Sequence, residues 1–260
     1  MSPKFIFIIP YRNRNSEKKK FEKQIKYLLE DYNNNSFEIF YCHQNDERPF
    51  NRGAIKNIGF LVLKNKYPND YKNITFIFND IDCFPNIKNT VNYDTKLGII
   101  SHIYGFNFTL GGIFSIKGKD YEDCCGFPNY WGWGLEDNYF NDKILSSGLQ
   151  IDRSKLFSIG CKEITHYKDD GKIKLINDID VKNYFSNNIV DNLKYIKNLD
   201  YEIIKNENNN LINQYIINVN NFNTLYNYNK NNFYFKDISL SNKLTLNKHS
   251  RNISKRWKMF

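Results

Sequence analysis

The sequence predicts an α/β fold: a mixed, mostly parallel sheet flanked by helices, with an extension at the C-terminal end. Three observations carry this. An unbroken apolar run, Phe5-Ile6-Phe7-Ile8-Ile9, has the composition of a strand buried on both faces. Short apolar runs then alternate with segments whose apolar residues recur at helical spacing, which is the pattern of a parallel sheet covered by helices. The third strand candidate ends in Asp80-Ile81-Asp82, and in such sheets ligands bind beyond the carboxyl ends of the strands.

The elements follow in order. Residues 4–9 form the first strand. Over 16–30, Phe21, Ile25, Leu28 and Leu29 keep the spacing of one helix face. Residues 37–42 form the second strand. Residues 51–66 form a helix with Ile55, Ile58, Leu61 and Val62 on its apolar side. Residues 74–78 form the third strand, and 97–103 and 112–116 two more. Residues 136–146 form a helix whose first turn is acidic, which suits the positive end of the helix dipole. Past Asp170 the texture changes to Asn-rich segments between short apolar runs. The chain therefore divides into a core over 1–172 and an extension or small accessory region over 173–260.

The formal net charge of +9 favours anionic partners: nucleic acid, anionic lipid or a nucleotide diphosphate. The plain alternative is solvated lysine on helix faces. Five cysteines without a CxxC pair suggest neither a disulfide framework nor a zinc site, so reduced thiols in a cytosolic protein are expected. The opening apolar run is too short for a signal peptide, and no run approaches the about 18 residues of a membrane span. A cytoplasmic location is the expectation. Arg251, Lys255, Arg256, Trp257 and Lys258 form a basic cluster with one aromatic residue. It suits either a solvated tail or a peripheral contact with anionic membrane.

Four elements carry chemistry. Asp80 and Asp82, separated by one residue at a strand mouth, point the same way if the strand geometry persists. Two hard oxygen ligands suit Mg²⁺ or Mn²⁺, and such a metal suits a diphosphate; a surface turn is the bland reading. Trp131-Gly132-Trp133-Gly134 combines flat side chains that stack on sugar rings with hinges that permit a lid. Glu136 or Asp137, just after it, can act as a general base or simply complement the helix terminus. His166 can join carboxylate and phosphate oxygens around Mn²⁺, although a lone histidine is more often structural. Arg12 and Arg14, just after the first strand, can pair with phosphate in fork geometry.

Ile9-Pro10-Tyr11-Arg12-Asn13-Arg14, Phe50-Asn51-Arg52-Gly53 with Asn57-Ile58-Gly59-Phe60, Asp80-Ile81-Asp82, Gly111-Gly112, and Gly126 to Gly134 with Glu136-Asp137 occur in one order. Together they resemble the successive motifs of the β-1,4-galactosyltransferase family, glycosyltransferase family seven, over residues 4 to 170. The resemblance implies a GT-A fold and an inverting, Mn²⁺-dependent transfer of a sugar from a UDP-sugar to a carbohydrate acceptor. By match, Pro10, Arg12, Arg14, Phe50, Arg52, Asp80 and Gly112 resemble residues around the nucleotide. Asp82 resembles the direct metal ligand, His166 the histidine that completes the site, and Glu163 stands where some members offer a methionine ligand. Trp133 resembles the mobile lid tryptophan, Asp137 the catalytic base, and Glu136 its acceptor-orienting neighbour. The sequence departs from the pattern at Leu135, usually glycine, at Asn138, usually acidic, and at Thr109, near where a bulky aromatic residue tunes the donor pocket. A small residue there implies use of UDP-galactose and UDP-N-acetylgalactosamine alike.

Two other classes fit less of the sequence. A catalytically inactive glycan-binding module of the same fold does not need Asp82, Glu136, Asp137 and His166. A basic, metal-dependent nucleic-acid-binding protein leaves the Trp-Gly segment unexplained, so no nucleic-acid partner is expected.

Overall fold

The computed structural model describes residues 2–167, 174–186, 191–205, 213–226, 228–229 and 233–236. In chain order the elements are β1 (Phe5–Tyr11), α1 (Asn15–Leu29), β2 (Phe37–Gln44), α2 (Arg52–Lys66), β3 (Thr75–Asn79), β4 (Cys83–Pro85), β5 (Ile99–Gly105), β6 (Ile113–Lys117), α3 (Gly118–Asp123), α4 (Glu136–Ser146), β7 (Gln150–Asp152), β8 (Phe157–Ser158), β9 (Ile164–His166), β10 (Lys174–Asn177), α5 (Asp178–Ser186), β11 (Lys197–Lys205), β12 (Gln214–Asn223) and β13 (Phe233–Lys236).

The central sheet runs β11-β12-β2-β1-β3-β6-β5-β7, with β8 also on β5. β1 pairs parallel to both β2 and β3, whereas β6 is antiparallel to β3 and to β5. The period-2 geometry of β1 explains the layering. Ile6 and Ile8 pack in one core with Ala54, Ile55, Ile58 and Val62 of α2. Phe5, Phe7 and Ile9 pack in another with Phe21, Ile25, Leu28 and Leu29 of α1. An apolar run buried on both faces thus places one helix on each side.

β1 continues two residues beyond its expected end, through Pro10. A proline cannot donate to a ladder, but β3 stops pairing at Ile8↔Phe78, so no partner strand lies opposite on that side.

Two of the strands after residue 173 join the central sheet. β12 lies parallel to β2, and β11 closes that edge as an antiparallel hairpin partner. Ile217, Val219 and Phe222 share a core with α2. β10 and β13 form a separate two-stranded pair. The basic cluster over 251–258 lies outside the described residues. Among the described residues, no helix is long and apolar enough to cross a membrane.

Candidate active site

The carboxyl end of β3, the start of α2 and the start of α4 converge on one ion-pair cluster. Its centre is Arg52. Asn51 caps α2, its side chain accepting from the Ala54 N–H at 2.9 Å. Arg52 therefore leaves the first turn of a fixed helix. Its Nε donates to Glu136 Oε1 at 2.9 Å, its Nη1 to Asp80 Oδ2 at 2.8 Å, and its Nη2 to Asp137 Oδ2. One guanidinium joins the strand-end carboxylate to both acids of the α4 terminus.

One helical turn along, Lys56 presents a second cation. Its ammonium lies 3.2 Å from Asp137 Oδ1 and 3.9 Å from Asp80 Oδ1. Burial alone would push the Asp80 carboxyl up, but the charges of Arg52 and Lys56 outweigh it and hold the group below its ordinary range.

Glycines make the approach possible. The Asp80 N–H donates to the Gly112 carbonyl at 3.0 Å, and Gly112 has φ of 71°. A Cβ on Gly111 would fall 2.8 Å from Asp137 Cγ, so only glycine leaves that carboxylate its place. Behind this loop, Arg153 donates to His102 Nδ1 at 3.1 Å and to the Thr109 carbonyl at 3.1 Å. Burial, reinforced by Arg153, pushes His102 down to about 4, so the ring is neutral and its Nε2–H faces the Gly111 carbonyl at 3.2 Å.

Asp82 and His166 form the second centre. The β4–β9 pairing sets Cys83 opposite His166, which brings Nε2 to 4.0 Å from Asp82 Oδ1. His166 Nδ1 faces the Tyr104 hydroxyl at 2.9 Å. If Nδ1 carries the proton and donates to that oxygen, Nε2 keeps its lone pair toward Asp82, the usual support of a metal-binding histidine. A carboxylate and an imidazole suit Mn²⁺. Glu163 is not grouped with them: it lies in the bend before β9, and its carbonyl accepts from the Asn86 N–H at 2.9 Å. Among the described residues, no three His, Cys, Asp or Glu side chains converge as a metal cluster, so the protein offers a ligand pair.

The two arginines after β1 have different partners. Arg14 donates to Asp82 Oδ2 at 2.8 Å and so belongs to the second centre. Arg12 turns away, to the Arg48 carbonyl and to Asp46 at 3.5 Å. Pro10 is buried within β1. The Phe50 carbonyl accepts from Gly132 at 3.2 Å, and Asn51 bridges to the same glycine, which ties the start of α2 to the Trp-Gly segment.

The two tryptophans play opposite parts. Trp131 is 2% exposed and stacks on Phe222. Its indole N–H reaches Thr224 Oγ1 and the Tyr226 carbonyl at 3.1 Å each, and its backbone N–H donates to Asp180 Oδ2 at 2.8 Å. Trp133 is 42% exposed, between Gly132 at φ 94° and Gly134 at φ 111°. The first anchors the segment and the second stands at its solvent face. Leu135 follows at φ 69°, a left-handed conformation that explains why glycine suits this place better. A cavity of about 780 Å³ lies behind His102, between residues 90–96 and 152–157; none of its lining residues belongs to the carboxylate cluster.

Two family models match consecutive parts of the chain. The N-terminal region of glycosyl transferase group 7 covers residues 2–94, and the N-terminal domain of galactosyltransferase covers residues 99–169. The chain belongs to glycosyltransferase family seven. The Caenorhabditis elegans xylosylprotein 4-beta-galactosyltransferase is 34% identical over 160 residues, 58% of this chain and 53% of that protein. The Mus musculus beta-1,4-galactosyltransferase 1 is 28% identical over 175 residues, 64% of this chain and 43% of that protein. The chain spans about half the length of the curated relatives it matches. The catalytic domain of Drosophila beta1,4galactosyltransferase 7, solved in complex with xylobiose, superposes with a TM-score of 0.65 at 21% identity, covering 84% of this chain and 94% of that one. The fold is the GT-A fold.

Within this member of family seven, the matched segments end before the residues that anchor Trp131. Asp180, Thr224 and Tyr226 lie beyond residue 169 yet hold Trp131. Sequence reading also missed Lys56, which sits among the apolar residues of α2 and reads as an ordinary surface lysine. Only its four-residue spacing from Arg52 hinted at a shared face.

Proposed function

We propose that this chain is an inverting, Mn²⁺-dependent glycosyltransferase that moves galactose or N-acetylgalactosamine from a UDP-sugar to a hydroxyl of a carbohydrate acceptor. The observation that carries the reading is Arg52, which joins Asp137 at the α4 terminus to Asp80 at the β3 terminus in one ion-pair cluster. A base for the acceptor and a diphosphate site for the donor then stand side by side. The relatives support it: they are named as galactosyltransferases, and a variant of the Drosophila protein was solved with manganese, UDP-Gal and xylobiose.

In this reading Asp82 and His166 hold the metal, which when bound supplies positive charge to the leaving diphosphate. Arg14, beside Asp82, adds a fork of donors for phosphate oxygens. The Asp137 carboxylate takes the proton from the acceptor hydroxyl as that oxygen bonds to the anomeric carbon. The bond to the UDP oxygen breaks on the opposite face, and the configuration inverts. Glu136, 4% exposed and held by Arg52 and the Gly134 N–H, fixes the α4 terminus that carries the base. Trp133 on its glycine hinges closes the site against water.

The test is UDP release from UDP-galactose and UDP-N-acetylgalactosamine with Mn²⁺ across an acceptor panel that includes xylobiose. Asp82→Ala is expected to abolish turnover and weaken Mn²⁺-dependent UDP binding. Asp137→Asn is expected to keep donor binding and lose transfer by about 10²-fold or more. Unchanged Mn²⁺-dependent UDP binding by Asp82→Ala, or parent-like transfer by Asp137→Asn, overturns the respective assignment.

A further inference from the structure

We propose that Lys56 is a positioning residue for Asp137: a fixed, buried counter-ion that holds the base in place whatever Arg52 does. The inference rests on the reading of Asp137 as the base. Its own ground is the geometry of α2. Arg52 and Lys56 lie one turn apart on the same helix face and grip opposite oxygens of one carboxylate, Arg52 at Oδ2 and Lys56 at Oδ1.

The two cations differ in freedom. Arg52 has a side chain 21% exposed and divides its donors among Asp80, Glu136 and Asp137. A diphosphate arriving beside Asp80 competes for those same donors. The side chain of Lys56 is 1% exposed, with its ammonium 4.2 Å above the centre of the Phe127 ring. It sits on a buried face of α2, and its ammonium is already engaged by Asp137 and Asp80. A buried ammonium requires an anion, and its nearest is Asp137, with Asp80 farther off. The Lys56–Asp137 contact therefore persists through donor binding, when the grip of Arg52 is shared out. This is also why an energetically awkward group is kept among Ile55, Ile58 and Phe127: an apolar residue would pack there and leave Asp137 with one grip instead of two.

A group that positions the base affects the transfer step and not donor affinity. Lys56→Met keeps the bulk of the side chain and removes its charge. The expected result is a kcat lower by roughly 10- to 100-fold, from loss of a charged hydrogen bond, with the KM for UDP-galactose and Mn²⁺·UDP binding by calorimetry within about twofold of the parent. The split between an altered kcat and an unaltered KM is the readout that a merely structural lysine would not give. Lys56→Gln retains a donor without charge; it is expected to show the same split with a smaller loss of kcat, and it serves if the methionine variant fails to fold. The measurements use UDP-galactose and the acceptor selected by the panel above, with Asp137→Asn alongside. If Asp137→Asn is inactive while the Lys56 variants keep the parent kcat and differ only in melting temperature, Lys56 is structural and the inference is overturned. If Asp137→Asn transfers normally, the base assignment fails and the Lys56 inference falls with it.

Discussion

Substituting Gly111 by alanine probes the site through a single methyl group. Gly111 does not have a positive φ, so alanine is allowed by the backbone and the effect is steric. The added Cβ would stand 2.8 Å from Asp137 Cγ and 3.4 Å from its Cβ, and closer still to Oδ2. Ordinary contact begins near 3.4 Å, so the carboxylate carbon must retreat by at least about 0.6 Å. Exposed carboxylates yield easily, but this one is gripped by Arg52 and Lys56. The backbone cannot open instead, because the Leu110 N–H donates to the Asp137 carbonyl at 3.1 Å and ties the loop to α4. A displacement approaching 1 Å costs a positioned catalytic group on the order of 10²-fold, or about 2.7 kcal/mol of transition-state stabilisation. Gly111→Ala is therefore expected to lower kcat about 100-fold and stability by about 1–3 kcal/mol from overpacking. Mn²⁺·UDP affinity should stay near the parent value. Gly148→Ala is the control: it meets nothing within 4 Å, has φ of 76°, and should lose only about 1 kcal/mol of stability to backbone strain with kcat unchanged. A Gly111→Ala enzyme with kcat within twofold of the parent would refute the placement of Asp137 against this loop.

Two further outcomes follow from other parts of the site. Burial pushes Asp180 up to about 7 from an ordinary carboxylate value, so the folded chain binds a proton there that the unfolded chain has released, and stability falls as pH rises from about 4 to about 7; Asp180→Asn, still able to accept from Trp131, should raise the melting temperature at pH 8 and lose that advantage near pH 4. On the proposed reading that Thr109 borders the donor sugar, Thr109→Tyr should depress kcat/KM for UDP-N-acetylgalactosamine about tenfold or more relative to UDP-galactose, and equal slowing of both donors would sink that argument.

What the sequence made legible was whatever depends on local pattern. The run at Phe5 to Ile9 announced a doubly covered strand, and period-2 alternation then required a helix on each face, as α1 and α2 provide. The expected helix over 136–146 coincides with α4, because acidic first-turn residues mark a start that the chain also uses. Motif order located Asp80, Asp82, Asp137 and His166 at one end of the sheet. Pairings across long sequence separations were not legible. Arg14 on Asp82 and Arg12 on the Arg48 carbonyl look alike as two arginines after a strand, and only the tertiary fold sends them apart. Trp131 and Trp133 look alike in a Trp-Gly repeat; strands 214–223 and 37–44, paired in parallel, decide which one is buried against Phe222. The Asn-rich texture past residue 170 hid β12, whose apolar side supplies Ile217 and Val219 to the main core.

On the proposed reading, the charge balance of the cluster explains why a donor would need the second centre as well. Arg52 and Lys56 contribute two positive charges, and Asp80, Glu136 and Asp137 contribute three negative ones, a net of −1. By itself such a cluster offers a diphosphate no net attraction. The positive partners that can receive one stand at the neighbouring strand end, where Arg14 lies on Asp82 and His166 faces the same carboxylate. Placing a divalent cation there reverses the local sign, while leaving the anionic character around Asp137 that proton abstraction requires. On the proposed reading, the fold separates two electrostatic demands, an anion-binding end and a basic carboxylate, by one residue of the β3 mouth. A donor held beside Asp80 would then reach Asp137 through Arg52, because the guanidinium that contacts one carboxylate contacts the other.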